Sequence, residues 1–165
     1  MNNVIVEQKR VHISSKPIIE VYDTVDMIDY NINLLKPIGL WYGFNDSWKD
    51  FGRGWLDMEE YGYEYELDVD TSKLLVVDSW DKVQYMMDRY LNIETFGSTK
   101  LEMGYIDWKR ISSEYMGIEF PEYDELGMRN IFLKPKMMSY LWLHTLDVSS
   151  GCIWNSKAIR SIRKI

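Results

Sequence analysis

Glu119 stands between Ile118 and Phe120 in the apolar run GIEF, where a carboxylate must find a cation, a ligand or a proton. A second stretch, KPIGLWYGFNDSW from Lys36 to Trp48, offers complementary chemistry. Its Trp41, Tyr42 and Phe44 present flat apolar faces suited to stacking on a planar ligand, while Pro37, Gly39 and Gly43 fix and free the backbone around them. Together the two stretches read as the walls of a cleft. A nucleophilic alternative pairs Cys152 with His144 as base. Cys152 lies in a strand-like run without electropositive neighbours and reads as a buried structural thiol, and His144 reads as a hydrogen-bonded structural histidine. The chain has no phosphate loop, dinucleotide glycine motif, HExxH or GxSxG elbow, and its two histidines lack zinc spacing.

The elements that must position these groups follow from periodicity. The segment VIVEQKRVHIS predicts a half-buried strand with Val11 and Ile13 on one side and Arg10, His12 and Ser14 on the other, away from the main core. YGYEYELDV predicts a strand with Glu64, Glu66 and Asp68 on its wet face. Leu74 to Val77 reads as a buried strand. Trp80, Val83, Met87 and Tyr90 form the stripe of a helix, and Trp108, Ile111 and Tyr115 mark another that leads into GIEF. Trp48 and Phe51 predict a short helix capped by Asn45, Asp46 or Ser47. A helix is expected between Pro17 and Leu35, and SYLWLHTLDV and SGCIWN are expected as strands joined by a turn at Ser149, Ser150 and Gly151. In the tail SKAIRSIRKI, Ile159, Ile162 and Ile165 recur every third residue and predict a packed helix with a solvated basic face, whose charges balance an acidic body or contact an acidic partner or RNA. These elements lack regular βαβ alternation and give an α+β domain, residues 1–165, with a strongly bent, mainly antiparallel sheet and short flanking helices.

With 165 residues, 46% of them hydrophobic, the chain can bury one sizeable core. A formal charge of −7 disfavours general nucleic-acid binding. A single cysteine excludes an internal disulfide, and no apolar run reaches the roughly 18 residues of a membrane span. The expected location is therefore the cytoplasm.

RVHIS (Arg10 to Ser14), KPIGLWYGFNDSW, IDWKRISSEYMGIEFPEY (Ile106 to Tyr123) and LDVSSGCIWN (Leu146 to Asn155) occur in an order that resembles a group of small viral and microbial proteins with a KPxGLW…YxGIE…SGCIW pattern. The set also resembles, more loosely, the H-Y-E branch of the ADP-ribosyltransferase superfamily. That resemblance implies the ADP-ribosyltransferase fold and NAD as substrate. It places His12 at the ribose hydroxyls, Ser14 among the cofactor-binding residues, Tyr42 or Trp41 as the aromatic that stacks on nicotinamide, and Glu119 as the catalytic carboxylate. A glutamate near the ribose 2′-hydroxyl stabilises the oxocarbenium-like cation formed as the glycosidic bond breaks. Gly117, two residues before Glu119, departs from the E-x-E pattern of arginine-modifying members. The expected function is transfer of ADP-ribose to a host macromolecule, with protein as the acceptor class and a virus as the suggested source. The competing expectation is a non-catalytic protein that binds and blocks a host protein, motivated by the acidic stripe at Glu64, Glu66 and Asp68. The purely structural roles open to the same residues have His12 capping a neighbouring carbonyl, Trp41 and Tyr42 packing a corner of the core, and Glu119 pairing with Arg110 or Arg129.

Overall fold

A computed structural model describes residues 8–18, 20–28, 35–53, 60–96, 101–123 and 137–165. Seven strands form one sheet: β1 (Arg10–Ser14), β2 (Leu40–Phe44), β3 (Tyr63–Val69), β4 (Leu74–Val76), β7 (Gly117–Phe120), β8 (Ser150–Ile153) and β9 (Ile159–Lys164). Their order across the sheet is β4-β7-β8-β2-β1-β3-β9, antiparallel throughout except for the parallel β4–β7 pair. A separate hairpin pairs β5 (Leu91–Phe96) with β6 (Leu101–Ile106). Among the described residues the α-helices are α1 (Ser47–Gly52), α2 (Trp80–Tyr90) and α3 (Trp108–Glu114), with a longer 3₁₀ helix at Met137–Leu146.

The connection from β3 to β4 forces the sheet to curl. Five strand spacings separate these two strands in the sheet order, about 24 Å if it were flat. The four residues between Val69 and Leu74 reach at most about 17 Å even when extended. Three of them, Thr71–Lys73, are wound into a 3₁₀ turn, which shortens the reach further. The two ends of the sheet are accordingly drawn together. The Asp70 amide donates to the Ala158 carbonyl (2.8 Å), the Lys73 ammonium to the Lys157 carbonyl (2.8 Å) and the Met116 amide to the Lys73 carbonyl (2.9 Å). The bent, mainly antiparallel sheet expected from the sequence is the sheet observed.

Curling gives the sheet two apolar faces. The concave face encloses Tyr42, Phe44, Leu67, Val69, Leu74, Ile153 and Ala158. The convex face carries the larger core, where Ile118, Phe120, Cys152 and Trp154 meet Val83, Met86 and Tyr90 of α2, Trp108 and Ile111 of α3, and Trp142 of the 3₁₀ helix. The periodic stripes predicted for α2 and α3 are the buried faces of those helices.

Three expectations need correction. The tail is the edge strand β9 and not a helix. A bulge opposite Asp68 and Val69 adds Arg160, so Val69 faces Ile159 and Leu67 faces Ile162. The bulge thereby puts residues three apart on one side of a strand, which mimics a helical period. Secondly, SYLWLHTL is 3₁₀ and not strand, and Ser150 and Gly151, expected in a turn, begin β8. Lastly, the helix sought between Pro17 and Leu35 is a single 3₁₀ turn at Val25–Met27, and the expectation for residues 19 and 29–34 lies outside the described residues.

Candidate functional site

Glu119 is placed by β7, and its neighbours follow from register. It pairs with Gly151 of β8, which pairs in turn with Tyr42 of β2, so all three share the concave face. The absence of a side chain at Gly151 lets the Tyr42 ring lie across β8. A Cβ at residue 151 would meet that ring at 2.4 Å. Passing over this gap, the Tyr42 hydroxyl donates to Glu119 Oε1 at 2.6 Å.

Arg10 closes the site from β1. Its Nε donates to Glu119 Oε1 (2.5 Å) and its Nη2 to Oε2 (3.2 Å), a two-pronged guanidinium–carboxylate pair between residues 109 positions apart. Arg10 sits opposite Phe44 in the β1–β2 ladder, with its guanidinium carbon 5.6 Å from the centre of that ring. Glu119 is 2% exposed, Tyr42 is fully buried, and the Arg10 side chain keeps 21% of its surface in contact with solvent. Burial, reinforced by the Glu119 charge and hydrogen bond, holds the Tyr42 phenol neutral well above its usual range. For Arg10 burial works against the charge, but the hydrogen bond and charge of Glu119 outweigh it and raise its pKa.

The remaining sequence-predicted residues lie around this unit. His12 follows Arg10 by two along β1 and so takes the same face of the strand. Its Nδ1 is 2.6 Å from the Trp41 carbonyl oxygen. Because a carbonyl only accepts, Nδ1 carries the proton and Nε2 of the neutral ring is left as an acceptor. Burial lowers the His12 pKa despite the opposing pull of that carbonyl. Ser14 accepts from the Lys16 amide at 3.1 Å and faces Tyr63 across the ladder. Trp41, one residue from Tyr42 along the strand, points to the convex side and packs against the larger core. Its indole N–H donates to the Pro37 carbonyl (3.3 Å), and the Lys36 ammonium stands 5.6 Å from its ring centre.

His12, Tyr42 and Glu119 are thus brought to one face, and Trp41 is directed to the other. The acidic residue finds its cation in Arg10, not in Arg110, which donates to the Arg89 carbonyl at 2.9 Å. Arg129 lies outside the described residues. Arg10 and Gly151 are the functional residues missed in the sequence. The period-two reading already put Arg10 beside His12, and the glycine between Ser150 and Cys152 was the available signal for a side chain crossing β8. Cys152 is fully buried, and that burial pushes its thiol well above the usual range, the environment of a structural thiol.

The acidic stripe of β3 is matched by cations. Glu64 pairs with Lys49 (2.6 Å), Glu66 with Arg163 (2.8 Å) and Asp68 with Arg160 (3.6 Å). The basic tail balances the acidic body through these pairs. Among the described residues, no cluster of three or more His, Cys, Asp or Glu is placed to hold a metal ion, and no helix is long and apolar enough to cross a membrane.

Comparison with known proteins returns no match: no family model, no curated protein and no solved structure. The site is therefore interpreted from its own geometry. A carboxylate with both oxygens engaged beneath a buried tyrosine ties β1, β2 and β7 together. As closed here, it presents no free oxygen to a reacting atom.

Proposed function

We propose that this chain acts by binding a macromolecular partner and that its Arg10–Tyr42–Glu119 unit is the internal brace of the binding scaffold. The observation that carries this reading is the enclosure of Glu119: it is 2% exposed and bonded through both oxygens within the protein. A glutamate that stabilises a developing ribosyl cation must reach the sugar, and a tyrosine that stacks on nicotinamide must offer a ring face. Tyr42 has no exposed surface to offer. Exposed apolar side chains suited to a partner occur elsewhere, at Tyr22 (70% exposed) and at Ile93 of the hairpin (51%).

NAD-dependent ADP-ribosyl transfer is the second reading. It is favoured by the placement of His12, Tyr42 and Glu119 on one concave face in the order their resemblance implies. For that chemistry the Arg10–Glu119 pair has to open, with the carboxylate turning from guanidinium to ribose. Calorimetric titration of the protein with NAD separates the readings. The brace predicts no binding heat up to millimolar NAD, whereas a saturable isotherm lost in His12→Ala overturns it in favour of the transferase.

A further inference from the structure

A cleft of about 550 Å³ opens between the start of β1 and the strands β3 and β9, a volume in the range that holds a small ligand. Its wall carries four cations, Lys9, Arg10, Arg160 and Arg163, against two carboxylates, Glu66 and Asp68, together with the Ser161 hydroxyl. Glu119 and Asp70, which pair with Arg10 and Arg160 beside the wall, bring the formal charge to balance, so what sets the cleft apart in a chain of net charge −7 is a local concentration of N–H donors and Lys9, unpaired among the described residues.

The cations are held in place yet keep unused donors. Arg163 is paired to Glu66 through Nη2 alone, and Arg160 contacts Asp68 and Asp70 through its terminal nitrogens at 3.6 and 3.3 Å. A guanidinium has five N–H groups, so each retains hydrogen bonds to give. Arg10 is anchored from below by Glu119 through Nε and Nη2, which leaves Nη1. Lys9 has its backbone pinned, its amide donating to Asn45 Oδ1 (3.1 Å) and its carbonyl accepting from the Asn45 amide (2.8 Å). Its ammonium makes no ion pair among the described residues.

A ladder of surface ion pairs between β3 and β9 accounts for Arg160 and Arg163 but not for Lys9 or for the hollow beside them. Tetrahedral oxyanions suit such a wall, because several oxygens accept from guanidinium forks arriving from different directions. We propose that this cleft binds a compact, multiply charged phosphate ligand, with Lys9, Arg160 and Arg163 as its principal contacts. The cleft shares Arg10 with the enclosed carboxylate, but its principal contacts lie outside that unit, and the proposal does not depend on the partner-binding reading.

Inorganic pyrophosphate is the probe, titrated by calorimetry at low ionic strength, with orthophosphate and sulfate as comparators. Pyrophosphate is expected to bind at one site, more tightly than either comparator and more weakly as salt is raised. Lys9→Gln and Arg163→Gln should each weaken it about tenfold, the scale of one charge-assisted hydrogen bond. Lys49→Gln, whose parent side chain pairs with Glu64 outside the cleft, should leave it unchanged. Circular dichroism confirms that each variant is folded. The proposal is overturned if pyrophosphate gives no heat at millimolar concentration, if it binds no better than sulfate, or if folded Lys9→Gln and Arg163→Gln bind it as the parent does.

Discussion

At the scale of the residue, Glu119 illustrates how a buried charge constrains its neighbours. Removing one partner of such a pair leaves the other uncompensated, and this generally costs more than the intact pair contributes. Glu119→Gln keeps the shape and deletes the charge, so it should destabilise the fold by about 3 kcal/mol, the lower end of the usual range because Arg10 reaches solvent. Tyr42→Phe removes one hydrogen bond to a carboxylate and should cost about 2 kcal/mol. The double variant should lose less than the sum, since both changes act on one network, and urea denaturation of all three measures this directly. His12 supplies a pH signature. Its folded pKa is lowered by burial, so the unfolded chain takes up a proton that the native protein resists. Stability from this group is full above the unfolded value of about 6.5 and falls as pH drops below it towards the lowered folded value. Thermal melts between pH 7 and 5 should therefore show a decline that is shallower in His12→Gln.

At the scale of the element, the three strands joined by the brace depend on the empty position between them. Gly151→Ala puts a methyl where the Tyr42 ring now lies, with the nearest contact at 2.4 Å, and either the ring or β8 must shift. A loss of about 2 kcal/mol is expected by denaturation, the scale of overpacking, and Tyr42→Phe should cost less in that background because its hydrogen bond is already disturbed. The edge strand makes a second case. Deleting Arg160 removes the bulge and leaves Ile159 and Ile162 two residues apart on one face of a regular strand, so register is kept and the cost should stay within about 1 kcal/mol, whereas Ile162→Ala, at a position packed against the enclosed core, should cost about 2 kcal/mol. The contrast also explains what could be read in the sequence. Strand β3 was legible to its ends because Tyr63 to Val69 alternate without interruption, and α2 because its apolar residues recur at helical spacing. β9 was misread because its bulge turns a strand into an apparent period of three. SYLWLHTL was misread because a continuous apolar run carries no period, and packing alone decided for 3₁₀ over strand. Glu119 stood out because its neighbours are apolar, but its partner Arg10 lies 109 residues away and only strand order brings the two together.

At the scale of the whole molecule, the curl of the sheet brings together strands that a flat sheet would spread too far for their connections. It also gives the protein two cores, one on each face, and places a charged unit inside the smaller one. The basic C-terminal strand, together with Lys49 of α1, cancels the acidic face of β3, so the acidic stripe that first suggested a docking surface is internally satisfied, and exposed apolar groups such as Tyr22 and Ile93 are the better places to seek a partner. The central claim is that Glu119 braces the fold and performs no chemistry. It is tested most directly by measuring nicotinamide release from NAD, with cell lysate present, by the parent protein and by folded Glu119→Gln. The brace predicts release no greater than from lysate alone for both proteins. Release by the parent that falls about 10²-fold or more in Glu119→Gln, the scale of losing one preorganised electrostatic group, would contradict it.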